Sequence, residues 1–421
     1  QYNLGLLFYN SQFGFRNIEG AIHFFTLAAD RNNIGAQLML GEIYSNKQYD
    51  VYDIKKAIYY YSLAASKNNS DAQYNLGLIY YEFKKFDEAI KFYELAASQN
   101  FSLAQYNLGV IYYKGEVVKS DIHKSIHYLM LSASQNYSYA QFNLGYIYSQ
   151  SPYVPHDLTK ALHYYSLAAN QDMPQAYYNI GLLYYDKKYD QYDMNKALHF
   201  ISIAADNNVA NAQFFLGDFY HYKKDFKKAI HYYSLAADQK YSKAMFLLGA
   251  FYYEGHYIQQ DIKKGINYIE YSANQDYNIA QFKLGIILCE GKFIQRNANK
   301  GIYYLVQSAK NNCIHANFVL GCFYYEGKFV KQDIYKSIHY YKEASSFNDQ
   351  FAKNNLGIIY KKGFSNKVPS NIMLAVEYLK EAALKKNDFL AIYNLSRIYL
   401  YDLNQIDHAV DLLFKFASHT C

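Results

Sequence analysis

A Leu-Gly or Ile-Gly pair recurs along this chain at a nearly fixed interval, and that interval limits what the chain can fold into. Glycine stands at positions 5, 41, 77, 109, 145, 181, 217, 249, 285, 321 and 357, and Leu395-Ser396 occupies the same place once more. The steps are 36, 36, 32, 36, 36, 36, 32, 36, 36, 36 and 39 residues. A period of roughly 20 to 50 residues marks a solenoid or array, in which each repeat is one supersecondary unit that buries its apolar face only against its neighbours. Gly5, Gly145 and Gly285 are 140 residues apart, as are Gly77 and Gly217, so a block of four repeats has been duplicated.

Each repeat reads as two helices. The first is typified by residues 70–81, where Ser70 and Gln73 stand at the spacing of a capping box, as do Ser102/Gln105 and Ser138/Gln141. Gly115, Gly255, Gly291, Gly327 and Gly363 then suit a left-handed C-cap. The second helix opens at Asp53, Asp121, Asp157, Asp193, Asp261 or Asp333, each fit to cap it, and carries an apolar stripe such as Ile58, Tyr61, Leu63, Ala64 and Ala65. A glycine inside a helix costs about 1 kcal/mol relative to alanine, so its repetition predicts a close helix crossing. The tyrosine three residues later (Tyr44, Tyr80, Tyr112 and their counterparts) is expected in the core beside it.

These residues resemble the Sel1-like repeat family, the 36-residue relative of the tetratricopeptide repeat. Residues 104–115 follow its pattern almost position for position, with Asp121 and Ser132-Ala133 after them. The resemblance runs from Gln1 to Ser418. Two short repeats instead keep tetratricopeptide spacing, from Gly77 to Ala89, Tyr93 and Ala96 and from Gly217 to Ala229, Tyr233 and Ala236. The departures are Ser396 in place of glycine, a stretched repeat around Pro369, and the absence of the family's disulfide-rich cysteine pairs. The resemblance implies an all-α fold, a right-handed α-α superhelix (solenoid) of about twelve Sel1-like or tetratricopeptide-like hairpins, with first helices lining the concave face. The expected repeats are 1–33, 34–69, 70–101, 102–137, 138–173, 174–209, 210–241, 242–277, 278–313, 314–349, 350–387 and 388–421. It also implies an adaptor or scaffold role. Both ends fall inside repeats, so a longer parent protein is expected.

If first helices face inward, the residue two before each glycine points to the groove. It is Asn75, Asn107, Asn143 and Asn179 in four consecutive repeats. A side-chain amide both donates and accepts, so such a ladder suits the backbone of an extended peptide. One residue earlier stand Tyr74, Tyr106, Phe142, Tyr178, Phe214, Phe246, Phe282 and Phe318, which suit either partner side chains or packing between helices. Beyond repeat 6 the amide position changes to Phe215, Leu247, Lys283 and Val319, a more apolar face.

Catalysis is not expected: the sequence has no phosphate-cradling glycine loop, Cys-x-x-Cys, nucleophile elbow or His-Glu-x-x-His. The series His23, His127, His163, His199, His231 and His339 is expected to be surface, since helices 8 to 10 Å apart hardly converge on one metal. No cofactor is expected. A net charge of +6, from 42 basic and 36 acidic residues dispersed along the chain, argues against nucleic acid. Cys289, Cys313, Cys322 and Cys421 lack paired spacing, which fits a reducing, cytoplasmic setting. The chain opens inside a repeat with no charged-then-apolar leader, so targeting information is either absent or removed. Sequons at Asn68, Asn100 and Asn136 fall at one inter-repeat turn. The function expected is a protein-protein interaction scaffold that holds a protein or peptide segment in its groove, with no membrane span. The alternatives are a regulatory or substrate-recruiting segment of a larger enzyme, a kinase or ubiquitin-ligase complex, and an RNA-binding helical repeat.

Overall fold

The computed structural model describes residues 1–10, 17–364, 368–383 and 389–417, with the backbone alone at 415–417. Ser418 and Cys421 lie outside the described residues. Among the described residues the chain forms 24 α-helices, and the one piece of extended pairing is an isolated bridge between Phe364 and Val368. Two compact units divide it, Gln1–Val209 and Ala210–Cys421. Within each, the helices form hairpins and successive hairpins pack in series, as in a helical solenoid.

Local chemistry sets the helix ends. Asp53, Asp121, Asp157, Asp193, Asp261 and Asp333 each cap a second helix, accepting from backbone N–H groups in its first turn. Gly115, Gly255, Gly291 and Gly327 are left-handed C-caps. Gly363 differs: its φ of 67° comes with a ψ of 174°, which leads the chain out toward the Phe364–Val368 bridge. In the short repeats three residues join Ser70–Glu82 to Phe86–Ser98, and Lys84 takes the positive φ of 59° that the turn demands.

The repeated glycine permits a close crossing. A Cβ on Gly77 would lie 2.6 Å from the Tyr93 ring, and one on Gly217 would lie 2.5 Å from the Tyr233 ring. The ring over the glycine thus comes from the second helix. The tyrosine three residues after the glycine, expected to fill this space, instead stacks on an aromatic neighbour beside it, as Tyr112 does on Tyr128 with centroids 6.0 Å apart. Tyr93, Tyr165, Tyr233 and Tyr341 are the largest fully buried side chains among the described residues.

The capping boxes are not formed. Ser70, Ser102 and Ser138 are the first helical residues, one place too late to cap, and Asn69 accepts from the Ala72 N–H instead. The glutamines do different work. Gln105 Nε2 donates to the Ala97 carbonyl and to Asn100 Oδ1, both at 3.2 Å, while its Oε1 accepts from Gln135 Nε2 at 2.7 Å. Gln141 repeats the pattern with Ala133, Asn136 and Gln171. Each buried glutamine therefore ties the end of one hairpin to both helices of the next. Asn68, Asn100 and Asn136, the sequon residues, sit in these turns at positive φ.

Candidate partner-binding face

Residues three before and one after the glycine are four apart on the first helix and share a face. The aromatic row three before is half-buried throughout. Its rings wedge between hairpins: Tyr74 lies 5.1 Å from Phe101, Tyr106 lies 5.1 Å from Tyr137, and Phe214 lies 5.1 Å from Tyr241. Phe142 meets the edge of Tyr165, Phe246 that of Tyr277, while Phe282 tilts against His315 and Phe318 against Tyr341. Tyr178 and Phe215 stand half-buried at their places in the same face.

The amide row is half-buried as well, and tyrosine hydroxyls engage it. The Asn107 amide lies near the hydroxyls of Tyr74 and Tyr93, Asn143 near that of Tyr106, and Asn179 near that of Tyr165, which pairs with Ser149 Oγ at 3.2 Å. In the C-terminal unit, Asn355 Nδ2 donates to the Tyr341 hydroxyl at 3.1 Å. An amide offers two donors and an acceptor with two lone pairs, so one tyrosine bond orients the group without exhausting it. Burial pushes the hydroxyls of Tyr61 and Tyr165 up to about 12, and those of Tyr93, Tyr233 and Tyr341 further in the same direction.

Sequence inspection missed the positions that are most open. Tyr139 and Phe351, six before their glycines, are 56% and 62% exposed, and Tyr146, one after, is 39% exposed. Their signal was the alternation of these two places with the amide row at helical spacing. Two clefts open between the hairpins of repeats 5 and 6. One of 590 Å³ is lined by Tyr139, Phe142, Asn143 and Pro174, and one of 710 Å³ by Ser149, His156, Leu182 and Tyr185. Asp218, after Gly217, accepts from the Tyr233 hydroxyl at 2.7 Å, and partial desolvation raises its carboxyl above the usual range.

The histidine series is exposed, each ring set against the aromatic residue that follows it, as His163 is on Tyr164. Among the described residues no three His, Cys, Asp or Glu groups are placed to share a metal, and no helix is long and apolar enough to cross a membrane. Cys289 and Cys313 are buried free thiols and Cys322 is half-buried; burial pushes Cys289 up to about 11.

The Sel1 repeat model matches residues 1–33, 34–69, 102–137, 138–173, 174–209, 210–241, 242–277, 278–313, 314–346 and 350–387, and a tetratricopeptide repeat model matches 53–103, across the first short repeat. Comparison with the curated proteins gives no match. Among solved structures, a protective antigen present in uropathogenic Escherichia coli strains, displaying an SLR fold, is similar over 99% of this chain and 91% of its own, with 24% identity and a TM-score of 0.60. A Sel1 repeat protein from Oxalobacter formigenes is similar over 71% of this chain and 90% of its own, with 26% identity and a TM-score of 0.59. Proteins of this class generally act as non-catalytic scaffolds for protein interaction. Ten matched repeats, the hairpins packed in series and the glycine under a second-helix ring agree, and the chain belongs to the Sel1 repeat family.

Proposed function

We propose that this protein is a scaffold that holds an extended segment of a partner protein along the faces of its first helices. The observation that carries the proposal is the set of large side chains left exposed there, Tyr139 and Tyr146 foremost. Rings in such numbers concentrate binding energy when a partner desolvates them. Asn107, Asn143 and Asn179 lie near tyrosine hydroxyls and offer amide donors and acceptors to a peptide backbone. The twelve-repeat division given above is part of the same proposal.

The test is a peptide selected on the immobilised chain, with its affinity measured for the wild type, for Asn107→Ala/Asn143→Ala and for Tyr139→Ala/Tyr146→Ala. Each pair of changes weakens binding about tenfold or more, equivalent to about 1.4 kcal/mol. Unchanged affinity in both would defeat the proposal; unchanged affinity in the asparagine pair alone would remove the amides from it.

A further inference from the structure

The duplicated block sets up an internal comparison at its 140-residue register, and the site proposed lies within the C-terminal unit. In the first copy, Tyr93 covers Gly77 and its hydroxyl lies near Asn107 of the next repeat, while Leu78 follows the glycine. In the second copy the corresponding residues are Tyr233, Leu247 and Asp218. The amide is gone, and a carboxylate has appeared one residue after Gly217, a position that is uncharged in repeats 3 to 6 and 8 to 11. The Tyr233 hydroxyl donates to Asp218 Oδ1, and among the described residues no hydrogen bond occupies Oδ2.

Phe214 lies one turn before Asp218 and packs its ring on Tyr241 at 5.1 Å. Burial raises the hydroxyls of Tyr241 and Tyr277, and the Asp218 carboxylate adds to the rise through space. Asp218 itself stays open to solvent. Lys243 and His221 act on it only from a distance: among the described residues no cationic nitrogen lies within 4.0 Å of it. Glu254 of the next repeat, by contrast, is paired with Lys283 at 2.9 Å. A carboxylate partly stripped of water gains from a cation more than a hydrated one does. Ring faces favour a cation too, and a guanidinium uses both, forking to the carboxylate and stacking on an aromatic face.

We propose that Asp218, bonded to Tyr233 and one helical turn after Phe214, receives an arginine or lysine side chain of the bound partner segment. This rests on the peptide-holding function above and adds its charge specificity. Tyr233 fixes one carboxylate oxygen, and the other meets the incoming donor.

The test passes four pools of 12-residue peptides, degenerate except for a central Arg, Lys, Gln or Glu, over the immobilised full chain. The wild type retains the Arg and Lys pools about tenfold better than the Gln pool, and added salt narrows the margin. Asp218→Asn keeps an acceptor for Tyr233 and abolishes the preference, leaving retention of the Gln pool unchanged. Lys243→Ala removes the distant competing cation and widens the preference. Equal retention of the Arg and Gln pools by the wild type, with binding still lost in Phe246→Ala, overturns the charge specificity and leaves the scaffold standing. A preference that survives Asp218→Asn also overturns it. Retention of no pool at all overturns both.

Discussion

Repeats 3–4 and repeats 7–8 descend from one block, yet they satisfy the same buried tyrosine in opposite ways. In the first pair, Tyr93 finds an amide, Asn107, on the following hairpin, and Leu78 on its own hairpin is apolar. In the second, Tyr233 finds a carboxylate, Asp218, on its own hairpin, and the following hairpin supplies Leu247. A buried hydroxyl needs a partner, but the fold is indifferent to which side provides it. That indifference leaves the character of the first-helix face free to vary: neutral and amide-bearing in repeats 3 to 6, and in repeats 7 to 10 more apolar apart from Asp218 and Lys283.

The comparison is tested most severely at the ring both copies share. Tyr93→Ala and Tyr233→Ala each empty the space over a glycine and cost about 3–5 kcal/mol, as large aromatic truncations do. A urea midpoint series measures both, and a cost under about 1 kcal/mol in either copy would mean that the two crossings are not alike.

Alkaline titration separates other members of the pair. Tyr61 and Tyr165 correspond at the 140-residue register to Ile201 and Leu305, which do not titrate. Their hydroxyls are held at about 12 when folded, against about 10 unfolded. Below pH 10 both states are protonated and the stabilisation is complete; from pH 10 to 12 only the unfolded state sheds protons, so stability falls as pH rises. Two units amount to about 3 kcal/mol per tyrosine. Tyr165→Leu therefore flattens the fall in the urea midpoint between pH 10 and 12, and an unchanged slope would count against the burial.

Exchanging the polar partner sharpens the comparison directly. Asp218→Leu orphans the Tyr233 hydroxyl and costs about 1–3 kcal/mol. Adding Leu247→Asn recreates the first copy's arrangement and recovers most of the loss, as a double-mutant cycle would register. The smallest effect is expected at the exposed ion pair Lys47–Glu82, 2.7 Å apart, where Lys47→Ala leaves the thermal midpoint unchanged because solvent already screens both groups.

Where helices begin and end was legible in the sequence at the second helices, because an aspartate caps through its own neighbours two and three residues on. It was misread at the first helices. Ser70 and Gln73 have the spacing of a cap, but the serine entered the helix and the glutamine bonded Ala65, Asn68 and Gln99. The spacing was real and the partner was wrong, since Gln99 is 26 residues away and comes near only when the hairpin closes. Of the candidate face, the aromatic and amide rows were legible from the period. Tyr139, Tyr146 and Asp218 were not, because exposure depends on which neighbours the adjoining hairpins bring.

The sequence by itself determined the period, the caps of the second helices and the shorter turns of repeats 3 and 7. All of these are settled within one repeat, by backbone conformation and by side chains a few residues apart. Only the tertiary structure decided which hydroxyl meets which amide, that the glutamines bind hairpin to hairpin, and that Asp218 meets Tyr233 without a cation. Each of those depends on the register between successive helices, which no local pattern encodes.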